Sequence, residues 1–496
     1  MGAAGPARAA EQLRVVVLPE LDLNVWADRG VVGLLVPDAG PTTSWERALV
    51  SLVRGETRNS LRGGLPPGPP LIDVEVGADF GPTLGPMILL ELPSGGPQRN
   101  DRRYPVVVLG ERFRGLLTSR STRIPGLVSI ADIAPTALGR NGTLGLRPED
   151  DPLEALRELD DTIREKNDTR FWAALLGGLL LVGLSLAAPR AGVLAFATGL
   201  VANLVLGVTG VSTPWVVLVS IALAVVVGAP LFALALRSRG AIALAFTVVL
   251  AAYLLALGLD APSIALSPFG PSQTGRFYGV SNLLETMLLL PALVGAAWAS
   301  ERWGLAGFLA VALLAFAAVA GNRFGADGGG AIVLGVGYAV LLTVLVGGRH
   351  RTAAVALAGA SALVAVLVAI DAATGGASHV TDALGGGPGG LASDFAGRVV
   401  IGFERTVAHW YVALGVVLSL LALLALTVAT LRRGVTTGGR ALLLGYAAAV
   451  LVSLLVNDSP GDVALPALVG CAALRACTLA PRCAGPSSSL SSWAAS

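Results

Sequence analysis

Lysine is almost missing from this chain: Lys166 stands alone among 496 residues, and arginine carries every other basic side chain. With abundant Ala, Gly, Val and Leu, that bias marks a GC-rich bacterial coding sequence and not a function. Histidine is nearly as scarce. His350, His379 and His409 are the only ones, so a histidine-bearing metal site cannot be built in the first third of the chain. His379, His409 and Asp382 do not show metal-ligand spacing. Three cysteines, Cys471, Cys477 and Cys483, crowd the C-terminus at spacings that fit no zinc pattern. They read as small apolar residues at a helix end. Charge of either sign is sparse and the formal net charge is +2, which gives no sign of a nucleic-acid partner. The opening "MGAAGPARAAEQLRVVV" has neither an apolar signal core nor a membrane-spanning run.

What the chain has in quantity is apolar sequence, 54% of residues with a mean hydropathy of +0.72. That is the composition of a membrane protein. Residues 1–170 are mixed and polar, and from Phe171 apolar runs alternate with short polar loops. A bilayer core takes ~20 apolar residues per helix. On that measure spans are expected at 171–188, 191–209, 214–235, 241–258, 283–299, 304–320, 330–347, 352–370, 408–430, 441–456 and 462–478, roughly eleven in all. Numbering the loops alternately puts eleven arginines, from Arg190 to Arg482, on one side and Arg276, Arg323, Arg398 and Arg405 on the other. The richer side is expected to be cytoplasmic. The protein is then multi-pass in the plasma membrane, with its N-terminal domain extracytoplasmic and its C-terminus cytoplasmic. Export of that domain needs a signal, and the expectation is an export helix encoded upstream of Met1.

Within the N-terminal third, "LRVVVLP" (13–19), "GVVGLLVP" (30–37) and "RYPVVVLG" (103–110) are continuous β-branched runs that read as buried parallel strands. "SWERALVSLVRG" (44–55) is an amphipathic helix with Thr42, Thr43 or Ser44 available as its N-cap. Strands alternating with helices imply an α/β layered domain over 1–148. Residues 149–170 read as a charged connector helix with Leu153, Leu156, Leu159 and Ile163 on its packing stripe. The membrane domain follows over 171–478, then a disordered tail over 479–496.

"GLVSIADIAPTALG" resembles the "DIAPTILxxLG" segment of the alkaline-phosphatase-like superfamily of phosphodiesterases, sulfatases and metal-dependent mutases. "GPTTSWERALVSLVRG" is similar to that superfamily's nucleophile segment, and "YPVVVLGERFRGLLTS" to its late strand and turn. The resemblance covers residues 13–140 and implies a truncated alkaline-phosphatase-like fold. A domain of this kind ahead of a polytopic segment is similar to a group of actinobacterial membrane proteins. By the resemblance, Thr43 holds the nucleophile's place at a helix N-terminus, where the dipole and amides favour an anion. Asp132 and Pro135 fall in a strand-to-helix corner and are expected to cap and start the helix, not to catalyse. The superfamily's two metals need ligands that are not in place. Glu20 and Asp22 follow the first strand where Asp-Gly is expected, and Ser94-Gly95 stands where Asp-His should be. The implied domain is therefore a non-catalytic shell without metal or cofactor, and Thr43 reduces to an N-cap.

Polar loops at 260–282, 321–330, 371–406 and 457–462 share the extracytoplasmic side. Arg276, Asn282, Glu285, Arg323, Asp327, Asn457 and Asp458 are the candidate ligand-binding residues, since polar groups at the ends of apolar helices are costly to keep. Arg276, Glu285, Arg323 and Asp327 are expected at the centre, either as a ligand site or as a latch of ion pairs. "GADGGG" lacks the lysine and preceding strand of a phosphate loop. Three functions compete. The first is an envelope protein whose outer module binds or positions an anionic lipid or lipid-linked glycan. The second is an active phosphoryl- or phosphoethanolamine-type transferase or phosphodiesterase. The third is a transporter or flippase.

Overall fold

In the computed structural model the described residues are 12–77, 85–110, 114–140, 143–274, 276–321, 324, 328–347, 359, 387–433 and 435–479. The chain divides into two compact units. One comprises Met1–Arg164 with Ser272–Tyr278, the other Glu165–Pro271 with Gly279–Ser496.

The first unit is built on an eight-stranded mixed sheet. Its strands are β1 (Arg14–Leu18), β2 (Gly30–Val36), β4 (Glu75–Val76), β5 (Met87–Glu91), β7 (Tyr104–Leu109), β8 (Gly115–Ser119), β9 (Leu127–Ser129) and β10 (Leu144–Arg147). They run in the order β10-β8-β2-β7-β5-β1-β4, with β9 also paired to β2. A separate ribbon joins β3 (Thr42–Thr43) to β6 (Gln98–Arg99). Val16, Val32, Ile88, Leu89, Val106 and Val107 are fully buried, which accounts for unbroken apolar runs in the central strands. β1 pairs in parallel with β4 and β5, and β2 with β8 and β9. β7, expected to be parallel, instead runs antiparallel to both β2 and β5. A β-branched run reports burial on two faces and is silent about direction.

Short helix α1 (Leu23–Trp26) follows β1, and α2 (Trp45–Arg54) packs Ala48 and Leu52 against the sheet with Ile133 of α3 (Ile133–Ala137). Gly55 ends α2 in the left-handed conformation at φ 61°, and a Cβ there would sit 3.0 Å from Pro135 Cδ. Pro135 lies in the first turn of α3, third in the helix, where its missing N–H costs no helical bond.

Helix α4 (Pro152–Ala187) is continuous for 36 residues, so the expected connector and first span are one rod. Nothing between 149–170 and 171–188 breaks a helix, and the change there is only from charged to apolar. Leu156 and Ile163 are buried, and Arg103 pairs with Asp160. Ser272–Tyr278 joins this first unit, with the Gly40 N–H donating to the Thr274 carbonyl at 2.6 Å and the Arg123 guanidinium 3.7 Å from the Tyr278 ring centre.

The second unit holds α5 (Pro189–Thr209), α6 (Pro214–Ala235), α7 (Arg239–Leu259), α8 (Ala261–Ala265), α9 (Asn282–Ala320), α10 (Gly328–Leu345), α11 (Gly387–Ala408), α12 (Trp410–Arg433), α13 (Thr437–Val456) and α14 (Pro460–Leu479). Seven described helices are long and apolar enough to cross a membrane: α4, α5, α6, α7, α9, α12 and α13. Roughly eleven were expected. Two of those, 283–299 and 304–320, fall in α9, which is two helical runs meeting at Gly304, whose φ 60° and ψ −150° are not helical. α10 is shorter, α14 carries Asp462 and Arg475, and 352–370 lies almost wholly outside the described residues. The tail expected over 479–496 is described only at Leu479. The long loop expected at 371–406 is corrected over its second half, which is helix α11. Pro388 stands in its first turn, a position that suits proline, so "GGGPGG" hides a helix start. The core of this unit is apolar throughout, and Phe196, Phe246, Tyr253 and Tyr446 are its largest fully buried side chains.

Candidate functional sites

Each unit holds a polar cluster. In the first unit it lies where α2 begins. The Trp45 N–H donates to the Gly95 carbonyl at 3.1 Å. Glu46 folds its carboxylate back on its own amide and the Ser44 hydroxyl, which hold it below the usual carboxylate range. The Arg47 N–H donates to Ser44 Oγ at 3.3 Å, and the Ala48 N–H to the Ser44 carbonyl at 3.0 Å. Ser44 is thus the N-cap, not Thr43. Thr43 lies in the β3 ribbon at 1% exposure, and its Oγ1 has no hydrogen-bond partner among the described residues.

Asp38, just past β2, receives the Arg47 Nε at 2.7 Å and the Ala39 N–H at 2.8 Å. Burial pushes its carboxyl above the usual range, and the bonds from Arg47, Ala39 and Ser51 pull the other way without cancelling it. Arg47 also donates to the carbonyls of Gly63 and Arg58, each at 3.0 Å, so this pair ties down the chain after α2. Glu20 and Asp22 are exposed, and Asp22 caps α1 through the Asn24 N–H at 2.9 Å. Ser94 and Gly95 are exposed at the surface.

Asp132 does not cap α3. Its Oδ2 turns back to accept from Ser119 Oγ and Ser121 Oγ, both at 2.6 Å, and from the Ser129 N–H at 3.3 Å, closing a capping box with Ser129. Burial raises its pKa, with the three bonds opposing. Its role in the described fold is to fix the corner between β8, β9 and α3.

In the second unit the cluster gathers at the start of α9 and the break between α13 and α14. Asn457 Nδ2 donates to Glu285 Oε2 at 3.0 Å and to Ser453 Oγ at 2.8 Å, and Glu285 and Asn457 are each 2% exposed. Asn282 Nδ2 reaches Asp458 Oδ1 at 3.4 Å. Arg405, on α11, donates to the Asp458 carbonyl at 2.7 Å and Ser459 Oγ at 2.6 Å. Glu285 sits in the first turn of α9, where the helix dipole favours a negative charge.

Of the seven expected residues, Asn282, Glu285, Asn457 and Asp458 come together. Arg276 belongs to the segment that joins the first unit, and Arg323 and Asp327 lie outside the described residues. Of the expected central quartet, the described residues place Glu285 in this cluster. Arg405 takes the basic role, and sequence reading missed it because its helix looked like loop. Asn203 was missed too, although a lone Asn inside "GLVANLVLG" is a signal in an apolar span. It donates to Tyr253 OH at 3.0 Å and Ser267 Oγ at 3.2 Å and accepts the Phe269 N–H at 2.9 Å. His409 is exposed and stacks on Tyr411, and Cys471 is buried in α14. His350, His379, Asp382 and Cys483 lie outside the described residues.

Among the described residues no group of three or more His, Cys, Asp and Glu side chains converges. No family model, curated protein or solved structure matches the chain.

Proposed function

We propose that this is a multi-pass plasma-membrane protein of the bacterial envelope. Its extracytoplasmic α/β unit is a degenerate, non-catalytic alkaline-phosphatase-like module. That module helps position an anionic lipid or lipid-linked glycan for a membrane unit of roughly eleven spans. The seven long apolar helices support membrane residence, and the arginine asymmetry of the loops supports a cytoplasmic C-terminus.

One observation carries the non-catalytic reading: the Trp45, Arg47 and Ala48 amides at the start of α2 are already taken, by Gly95 and Ser44. An anion at a helix N-terminus is held by free amides, and here protein groups fill that place. Thr43, behind them, is 1% exposed. In the membrane unit, the Arg405 guanidinium carries five N–H donors, more than its bonds to Asp458 and Ser459 use, and a phosphate or a sugar hydroxyl needs such donors.

The test of the ligand role is extraction of the purified full chain in mild detergent, followed by mass spectrometry of the lipids and glycans that stay with it. An enriched anionic lipid or lipid-linked glycan that is lost on Arg405→Gln agrees with the reading. A lipid profile equal to that of the bulk membrane contradicts it.

A further inference from the structure

The second unit contains an apolar crevice that the polar cluster at Glu285 does not use. It is partly open, with a cavity volume of about 40 Å³. Its walls are α4 around Gly177 and Gly178, α5 at Gly199, α6 at Ile221 and Val225, and α14 from Leu465 to Val469. Two details give it its shape. The α4 backbone comes so close to its neighbours that a Cβ at Gly177 would lie 3.1 Å from Ile221 Cγ2, and one at Gly178 3.2 Å from Val469 Cγ2. Across the crevice, a Cβ at Gly199 would meet nothing within 4 Å. The void is therefore a gap that glycine leaves open. Residues Ala224–Gly228 form a π-helical turn in the same wall, an irregularity frequent at functional sites.

A charged pair stands one helical turn beyond the lining. Arg170 lies one turn before Ala173 and Ala174 on α4, and Asp462 one turn before Leu465 and Pro466 on α14. Arg170 donates from Nη2 to Asp462 Oδ2 at 2.8 Å and from Nη1 to the Gly270 carbonyl at 3.1 Å. A guanidinium has five N–H donors, so others remain for a ligand.

At the depth of spanning helices the solvent is hydrocarbon, not water. An empty slot forfeits contacts on every wall, and a water would find few partners there. An amphiphile suits both the apolar lining and the charged pair. We propose that the crevice lodges one acyl chain of a bilayer phospholipid, with its phosphate on Arg170. Guanidinium and phosphate match in charge and in planar two-point hydrogen bonding. The site belongs to the membrane unit alone, so its failure would leave the reading of the first unit intact.

Gly199→Leu is the deciding variant. Its Cβ enters open space and its isobutyl group fills the slot, while replacing a helical glycine favours the helix. Native mass spectrometry of the full chain, delipidated and then offered phosphatidylglycerol, should show one tightly held phospholipid on the wild type and none on Gly199→Leu. Wild type holding none, or both chains holding it equally, would overturn the proposal. Should the variant lose helical circular dichroism, wild type photolysed with a diazirine-acyl phosphatidylglycerol decides instead. Adducts on residues 173–181 and 465–469 support the site. Adducts confined to outward side chains such as Leu186, Trp215 and Leu231 refute it.

Discussion

Asp132 Oδ2 gathers three donors in a place 7% exposed, so its removal leaves the Ser129 amide without this acceptor and the Ser119 and Ser121 hydroxyls with one partner fewer each. Leaving a buried polar group unmet costs about 1–3 kcal/mol. Asp132→Ala should lower stability by at least that much in denaturant titration of the solubilised chain, whereas Asp132→Asn keeps an acceptor and should lose less. The pH dependence has a defined sign. Burial raises the Asp132 pKa, so the folded state holds the proton more tightly than the unfolded chain. Its contribution is most favourable below the ordinary carboxylate pKa of about 4 and declines as pH rises through the raised value. Asp132→Asn should therefore gain stability relative to wild type as pH climbs from acid to neutral, and a relative loss would contradict the assignment. Asn203 makes three hydrogen bonds at 0% exposure. Hydrogen bonds between spans average about 0.6 kcal/mol, but Asn203→Leu also leaves the Phe269 amide unmet. A loss of about 1–3 kcal/mol is expected, seen as a lower melting temperature. Asp132 was legible as structural because its motif is local. The bonds that occupy the α2 amides were not, since Gly95 reaches Trp45 across fifty residues of sequence.

Elements read best where one period ran unbroken. β1, β2, β7 and α2 follow from β-branched runs and an amphipathic stretch, while β4, β9 and β10, two to four residues each, have too few side chains to show a pattern. α11 was hidden by glycine and proline at its start, and with it Arg405. The break within α9 falls at Gly304, where the expected spans 283–299 and 304–320 meet. Gly304 sits at φ 60° and ψ −150°, a region nearly closed to residues with a Cβ. Gly304→Ala should cost about 1–3 kcal/mol. Gly183, inside α4, is the control, because an added methyl there would meet nothing within 4 Å. Gly183→Ala should stabilise by about 0.5–1 kcal/mol. Thermal melting of both variants checks the contrast, and equal shifts would show that the break is not held by glycine.

At the scale of the whole molecule, composition alone separates an α/β first unit from an apolar second one, and each has its own hydrophobic core. The unit boundary within α4 and the recruitment of Ser272–Tyr278 were not legible, because helix continuity hides the first and the second needs contacts distant in sequence. The proposal for the first unit is that the place an anion would take at the start of α2 is filled by protein groups and the unit is non-catalytic. Hydrolysis by the purified full chain tests it most directly. Chromogenic phosphate monoesters, phosphate diesters and sulfate esters would each be offered with magnesium, manganese and zinc, beside a Thr43→Val control. The account predicts no turnover above that control for any substrate or metal. Metal-dependent turnover in the wild type that Thr43→Val abolishes would contradict it.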